Sequence, residues 1–265
     1  MVYVGLFLSL LIGAVLGLVG GGGSILTVPL VHFLFGESLY MATTYSLFVV
    51  SIAGFMGVFT RIGKGVIDYR GGVVFVIPSM ITAFLIRRYV MSMFPAQFPI
   101  GNFELSRDVF ISSLLILVML YTAYRTLFSS RPQVAPDASV GLGVVISFGI
   151  LTGLLSGFIG AGGGFIIVPI LLRMGMKMKK AVGTSMFIVA IQSGVALLGD
   201  FSSKNMGGEN TIDWTLLLLI TLLTVIGVVV GGYLQRYFTG KALRKVFAWL
   251  LVVVAVGMAI QFIVA

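Results

Sequence analysis

The chain has no cysteine and a single histidine, His32. The first absence excludes disulfides, thiolate catalysis and Cys-ligated metal sites. No His-Glu-x-x-His motif is present to hold a catalytic zinc. Charge is almost as scarce: 9% of the 265 residues are Asp, Glu, Lys or Arg, against roughly a quarter in soluble domains. That leaves too little polar surface to coat a globule, and too few groups at one depth to build a nucleophile–base pair. Neither enzymatic activity nor a cofactor is therefore expected. What the chain has in quantity is apolar residues, 59% of the total, and glycine, 35 residues. The net charge of +9 would suggest nucleic acid in a soluble protein. Here the cations lie between apolar blocks, which points to membrane topology and anionic headgroups instead.

Residues 1–36, 38–60, 71–86, 109–124, 138–172, 181–199, 214–235 and 246–265 carry no charged side chain. A spanning helix needs about 20 mostly apolar residues, and most of these blocks fit. The expected architecture is an all-α polytopic membrane protein. The N-terminal Met1-Val2-Tyr3-Val4-Gly5 lacks a positive n-region and is expected to open the first membrane segment.

The chain repeats itself. Gly13, Gly17, Gly20, Gly22, Gly23, Val28 and Pro29 recur 140 residues later as Gly153, Gly157, Gly160, Gly162, Gly163, Val168 and Pro169. With one residue of slippage, the run from Ala42 to Phe48 aligns with the run from Ala181 to Phe187, and Ile67-Asp68-Tyr69 echoes Ile212-Asp213-Trp214. We therefore expect a first transmembrane repeat at 1–128, a cytoplasmic linker at 129–139 and a second repeat at 140–265. The two longest blocks, 1–36 and 138–172, would each make a helix of about 50 Å, longer than the hydrocarbon core. Glycine runs break both in the middle, so each is expected to fold as a helical hairpin with its turn buried in the bundle.

Cations mark cytoplasmic ends. Arg173, Lys177, Lys179 and Lys180 form one cluster, and Arg236, Lys241, Arg244 and Lys245 another. Arg61, Lys64 and Arg70 form a third, with Arg125 and Arg131 beyond. Lys177, Lys179 and Lys180 are expected to set orientation rather than bind substrate. Each half then holds one glycine-turned hairpin and three spans. Three is odd, so the halves are expected to be inverted, as in many secondary transporters.

A helix that starts at a mid-membrane glycine turn offers free N–H groups and a positive dipole end to an anion. The expected binding groups are the backbone N–H groups of Gly22, Gly23, Ser24, Gly162, Gly163 and Gly164. Hydroxyls of Thr44, Ser46, Thr184 and Ser185 would assist, with Gln192 polar in mid-span. Those hydroxyls serve equally well as bonds to their own helix backbone. Pro29 and Pro169 leave open whether each half-helix starts or kinks at its proline. Gly13, Gly17, Gly153 and Gly157 read as helix-packing positions, and Asp68 and Asp213 as helix caps. His32 reads as an interfacial residue, with a proton relay as the alternative. Arg87 and Arg88 read as snorkelling, with anion attraction as the alternative. No buried carboxylate pair stands out, so no coupling residue is assigned.

At Gly20–Pro29, Gly160–Pro169, Val182-Gly183-Thr184-Ser185 and Ile212-Asp213-Trp214 the sequence resembles the sulfite exporter TauE/SafE family of bacterial and archaeal membrane proteins. The resemblance implies alternating-access transport of sulfite, sulfoacetate or related organosulfonates across the cytoplasmic (inner) membrane, usually outward. The implied partners are a small anion, the bilayer and a coupling ion, proton or sodium. A channel-like or uptake permease for another small solute is the alternative, and neither substrate nor oligomeric state is legible.

Overall fold

Glycines interrupt the two longest apolar blocks, and Ser38, Asp68 and Asp213 each cap the helix that follows them. In the computed structural model, which describes residues 2–93, 97–100, 103–128, 141–202, 212–235, 237 and 240–264, helix α1 runs Val2–Val19. It ends at Gly20, whose φ of 83° suits glycine alone. A 3₁₀ turn, Gly21–Leu26, leads into α2, Thr27–Phe35. Helix α3 (Leu39–Phe59) is capped by Ser38, which accepts from the Met41 N–H at 3.3 Å. Helix α4 (Tyr69–Leu85) is capped by Asp68, and continues through a π-helical turn, Ile86–Val90, into the short α5, Met91–Met93. An antiparallel ribbon, β1 (Gln97–Ile100) with β2 (Phe103–Ser106), precedes α6 (Arg107–Phe128). This ribbon is the one departure among the described residues from a helical chain.

The second half repeats the order. Helix α7 (Leu142–Ile159) ends at Gly160, and α8 (Gly164–Arg173) follows. Then come α9 (Met178–Phe201), α10 (Trp214–Leu234) and α11 (Gly240–Val264). Asp213 caps α10 by accepting from the Thr215 and Leu216 N–H groups. The aspartates thus act as the expected caps. Segment 129–139 lies outside the described residues.

Both glycine blocks fold back as expected. Gly5 near the start of α1 faces the Phe35 ring at the end of α2, and Gly23 lies on the backbone of Leu16. In the second block Gly163 returns alongside Thr152 of α7. The prolines differ between the halves. Pro29 is the third residue of α2, just past the 3₁₀ turn, whereas Pro169 is the sixth of α8 and lies inside it.

Six helices among the described residues are long and apolar enough to cross a bilayer: α3, α4 with its π turn, α6, α7, α9 and α10. Around an apolar core, the bundle also exposes large apolar side chains along its spans and buries small polar ones. Phe7, Phe55, Leu117, Leu151, Leu218 and Val253 face outward, while Ser24, Thr44, Ser46, Ser79, Gln192 and Ser193 are fully buried. Lipid is as apolar as leucine, so close packing and hydrogen bonds, not hydrophobic exclusion, hold such a bundle together.

Helix α1 packs on α10 and α7 on α4; α3 packs on α9 and on α10, and α4 on α9; α6 packs on α11. Exchanging α1, α3, α4 and α6 for α7, α9, α10 and α11 leaves this set of pairs unchanged. The glycines make two of the contacts possible. Gly13 and Gly17 lie on the backbone of Thr224 and Val228 in α10, and Gly153 and Gly157 on Ser79 and Ile86 of α4 and its π turn. All four are the packing positions expected from sequence.

Candidate functional site

The two glycine turns meet. A Cβ on Gly164 would collide with the backbone of Gly21, and the Ser24 hydroxyl donates across the interface to the Ala161 carbonyl. Gly21 also faces Val189 of α9, and Gly162 faces Val50 of α3 together with Val189. Both valines sit halfway along their spans, so the meeting point lies at mid-bundle.

Each turn is cradled by the other half. Gly20 sits on Val182 and the Ser185 hydroxyl in the second turn of α9; Gly160 sits on Thr43 of α3. The second turn needs glycine in particular, since Gly160, Gly162 and Gly163 all have φ between 64° and 72°, a region that strains any residue with a Cβ. Gly163 then serves as N-cap of α8, its carbonyl accepting from Ile166 N–H at 3.0 Å. The N–H groups at the start of that helix are the donors that helix geometry leaves without an intrahelical acceptor.

The expected binding groups divide. Ser24, Gly162, Gly163 and Gly164 lie where the turns meet or against α3 and α9. Gly21, not singled out from the sequence, makes the contact with Gly164, while Gly22 faces Val19 and Phe247, and Gly23 faces Leu16. Gln192 is fully buried; it accepts from the Ser79 hydroxyl and donates to the Thr152 carbonyl at 3.3 Å. Among the described residues the buried hydroxyls of Ser46, Ser156 and Ser193 find no hydrogen-bond partner, and Ser193 points at Gly162. Ser185 donates to its own helix at the Val182 carbonyl. Thr184 accepts from the Asp68 N–H at 2.9 Å, tying α9 to the cap of α4. Thr44 donates to Asp200 Oδ2 at 3.0 Å.

That last bond belongs to a cluster the sequence did not reveal. Asp200 and Arg87 are both fully buried, with Arg87 Nη1 3.1 Å from Asp200 Oδ2. Arg87 also donates to the Thr43 hydroxyl at 3.0 Å, and Tyr40 OH reaches Asp200 Oδ1 at 3.4 Å. Arg107 stacks on the Tyr40 ring, 4.4 Å from its centroid. Arg87 does not snorkel. The π turn adds a residue to the helical repeat, so Ile86 and Arg87 both face inward. Asp200 closes a charge-free run and looked like its boundary; Tyr40 and Thr44 of α3 and Arg87 of the π turn draw it inside instead.

Against known proteins, the family model described as sulfite exporter TauE/SafE matches residues 5–258. The chain belongs to the TauE/SafE family. A probable membrane transporter protein of Xylella fastidiosa (strain 9a5c) is 30% identical over 93% of this chain and 90% of its own length. One from Haemophilus influenzae is 28% identical over 97% and 98%. An Arabidopsis thaliana protein named sulfite exporter TauE/SafE family protein 3 is 32% identical over 31% of this chain and 17% of its own. No solved structure matches. As a TauE/SafE protein with six membrane-capable helices, the chain is a multi-pass membrane transporter.

Proposed function

We propose that the protein is a secondary transporter of small sulfur-containing anions, such as sulfite, sulfoacetate or related organosulfonates. It would export them across the cytoplasmic membrane by alternating access between two inverted halves. The observation that carries this reading is the contact of two glycine turns at mid-bundle, Gly21 on Gly164. Each turn comes from a broken helix, and broken helices meeting at the midplane mark substrate sites in inverted-repeat transporters. An anion there would be held by N–H groups of Ser24, Gly162, Gly163 and Gly164, with the hydroxyl of Ser193, which faces Gly162, beside them. Charge at the bilayer centre costs at least ~2.5 kcal/mol; helix N-termini offset it with about half a charge each, so release stays easy. Because the turns touch, they must part to admit the anion, and their contact separates the two faces.

Flux of sulfite, sulfoacetate, sulfate and taurine into proteoliposomes tests this. We expect saturable, gradient-dependent flux of the sulfur oxyanions. Gly164→Val, whose side chain would fill the space between the turns that the anion must enter, should abolish saturable flux in protein that still inserts and purifies as a single species. Unsaturable flux in the wild type, or unchanged saturable flux in Gly164→Val, contradicts the reading.

A further inference from the structure

At the opposite end of the bundle from the Arg87–Asp200 pair lies a half-open cleft of about 450 Å³, lined by Arg61, Lys64, Lys179, Val229, Tyr233 and Gln235 among others. Three cations face it. Among the described residues no carboxylate forms an ion pair with any of them; the two ion pairs found are Arg87–Asp200 and Lys180–Asp68. Arg61 is largely buried, and burial pushes its guanidinium below the ordinary value. It is held by dipoles alone. Nη1 donates to the Gly57 carbonyl at 2.9 Å, and Nη2 to the Gly17 carbonyl at 2.8 Å. The weaker bonds, to the Met186 thioether and to Gln235 Oε1 at 3.4 Å, are those an incoming acceptor would replace most easily. Gln235 in turn donates to the Leu18 carbonyl at 3.1 Å. Through Arg61 and Gln235 the cleft is therefore tied to the end of α1, directly before the first glycine turn.

The internal repeat explains the cleft. Arg61 stands in α3's half where Asp200 stands in α9's, with the spacing that separates Ala42 from Ala181; Lys179 likewise matches Tyr40. Arg87 matches Gly232, with the spacing from Asp68 to Asp213. So at one end Tyr40, Arg87 and Asp200 form a buried cluster in which the arginine and the aspartate pair. At the other end Lys179, Gly232 and Arg61 occupy the corresponding places. Gly232, 3.8 Å by its would-be Cβ from Arg61 Nη2, leaves empty the volume that an arginine fills at the first end, and the carboxylate is missing.

We propose that this cleft is an anion-binding vestibule in which a small oxyanion, a sulfonate or sulfite-like group, takes the electrostatic place that Asp200 fills at the other end. The proposal rests on the transport reading for its biological role, and it adds a second site, at the cationic end of the bundle, to the one between the turns. It gives Lys179 a task beyond orientation. Low-dielectric walls lined by one sign of charge focus the field and concentrate counter-ions.

The natural absence of cysteine makes the test direct. Val229→Cys places one thiol on the cleft wall of the full-length protein in detergent. Its reaction rates with the anionic sulfonatoethyl and the cationic trimethylammonioethyl methanethiosulfonates are each divided by the rate with free cysteine. We expect the anionic reagent to be favoured by about tenfold or more. Arg61→Gln should reduce that preference toward unity, and Lys64→Gln with Lys179→Gln, both exposed and free of structural bonds to the glycine turns, provides the same test if the arginine variant fails to fold. Equal normalised rates in the parent, or a preference unchanged by removing the lysines, overturns the vestibule. Flux of the wild-type chain is measured separately. Its absence with the reagent preference intact overturns the transport reading and leaves the anion site standing.

Discussion

Asp200 and Arg87 have no exposed surface, and a charge buried without its partner is far more costly than one in water. Thr44 and Tyr40 on the carboxylate and Thr43 on the guanidinium spread the charge over neutral groups. Asp200→Ala leaves Arg87 facing hydroxyls alone, and the expected loss is about 3–5 kcal/mol, read as a lowered midpoint of thermal unfolding in detergent. Arg87→Met combined with Asp200→Leu should recover most of that loss, since an apolar pair of similar volume removes both desolvation costs. If the double variant is as unstable as the single one, the pair's hydrogen bonds to α3 matter more than its charges.

Among the elements, the decisive contacts are backbone against backbone. Helix α1 approaches α10 through Gly13 and Gly17, and α7 approaches α4 through Gly153 and Gly157. A side chain on Gly13 would meet the Thr224 carbonyl, and one on Gly153 the Ser79 carbonyl. Gly13→Val and Gly153→Val should each cost about 1–3 kcal/mol, the range for overfilling a packed interior, and the two should behave alike because the contacts are equivalent. Fluorescence-detected size-exclusion chromatography after a heat step measures both. A tolerant Gly13→Val beside a damaging Gly153→Val would mean that the two helix pairs are not equivalent. The positions were legible because spacing of small residues at four is a packing pattern in membranes. Which helix each face meets was not legible, since the partners lie more than sixty residues away along the chain.

For the whole molecule, the helix pairing is unchanged when the two halves are exchanged, and the charge distribution sets which way each half should point. With the Arg173–Lys180 cluster cytoplasmic, a reporter fused after Arg131 should score as cytoplasmic and one after Ala265 as periplasmic. Both scoring on one side would contradict inversion of the halves.

Membership of a membrane-transporter family, the helical architecture, both hairpin turns and the capping aspartates were all present in the sequence. Each depends on local rules: apolar length against bilayer thickness, glycine against helix, and carboxylates beside free N–H groups. What only the tertiary structure decided was which residues of those turns face one another. Gly21 rather than Gly22 meets Gly164, because the first turn winds as a 3₁₀ helix and the second through left-handed glycines. It also decided the fate of the charges at helix ends. Asp200, Arg87 and Arg61 look alike in sequence, as polar residues bounding apolar runs. Two close on each other and the third is left with carbonyls and an open cleft, because charge pairing depends on which helices pack together, and no local pattern carries that information.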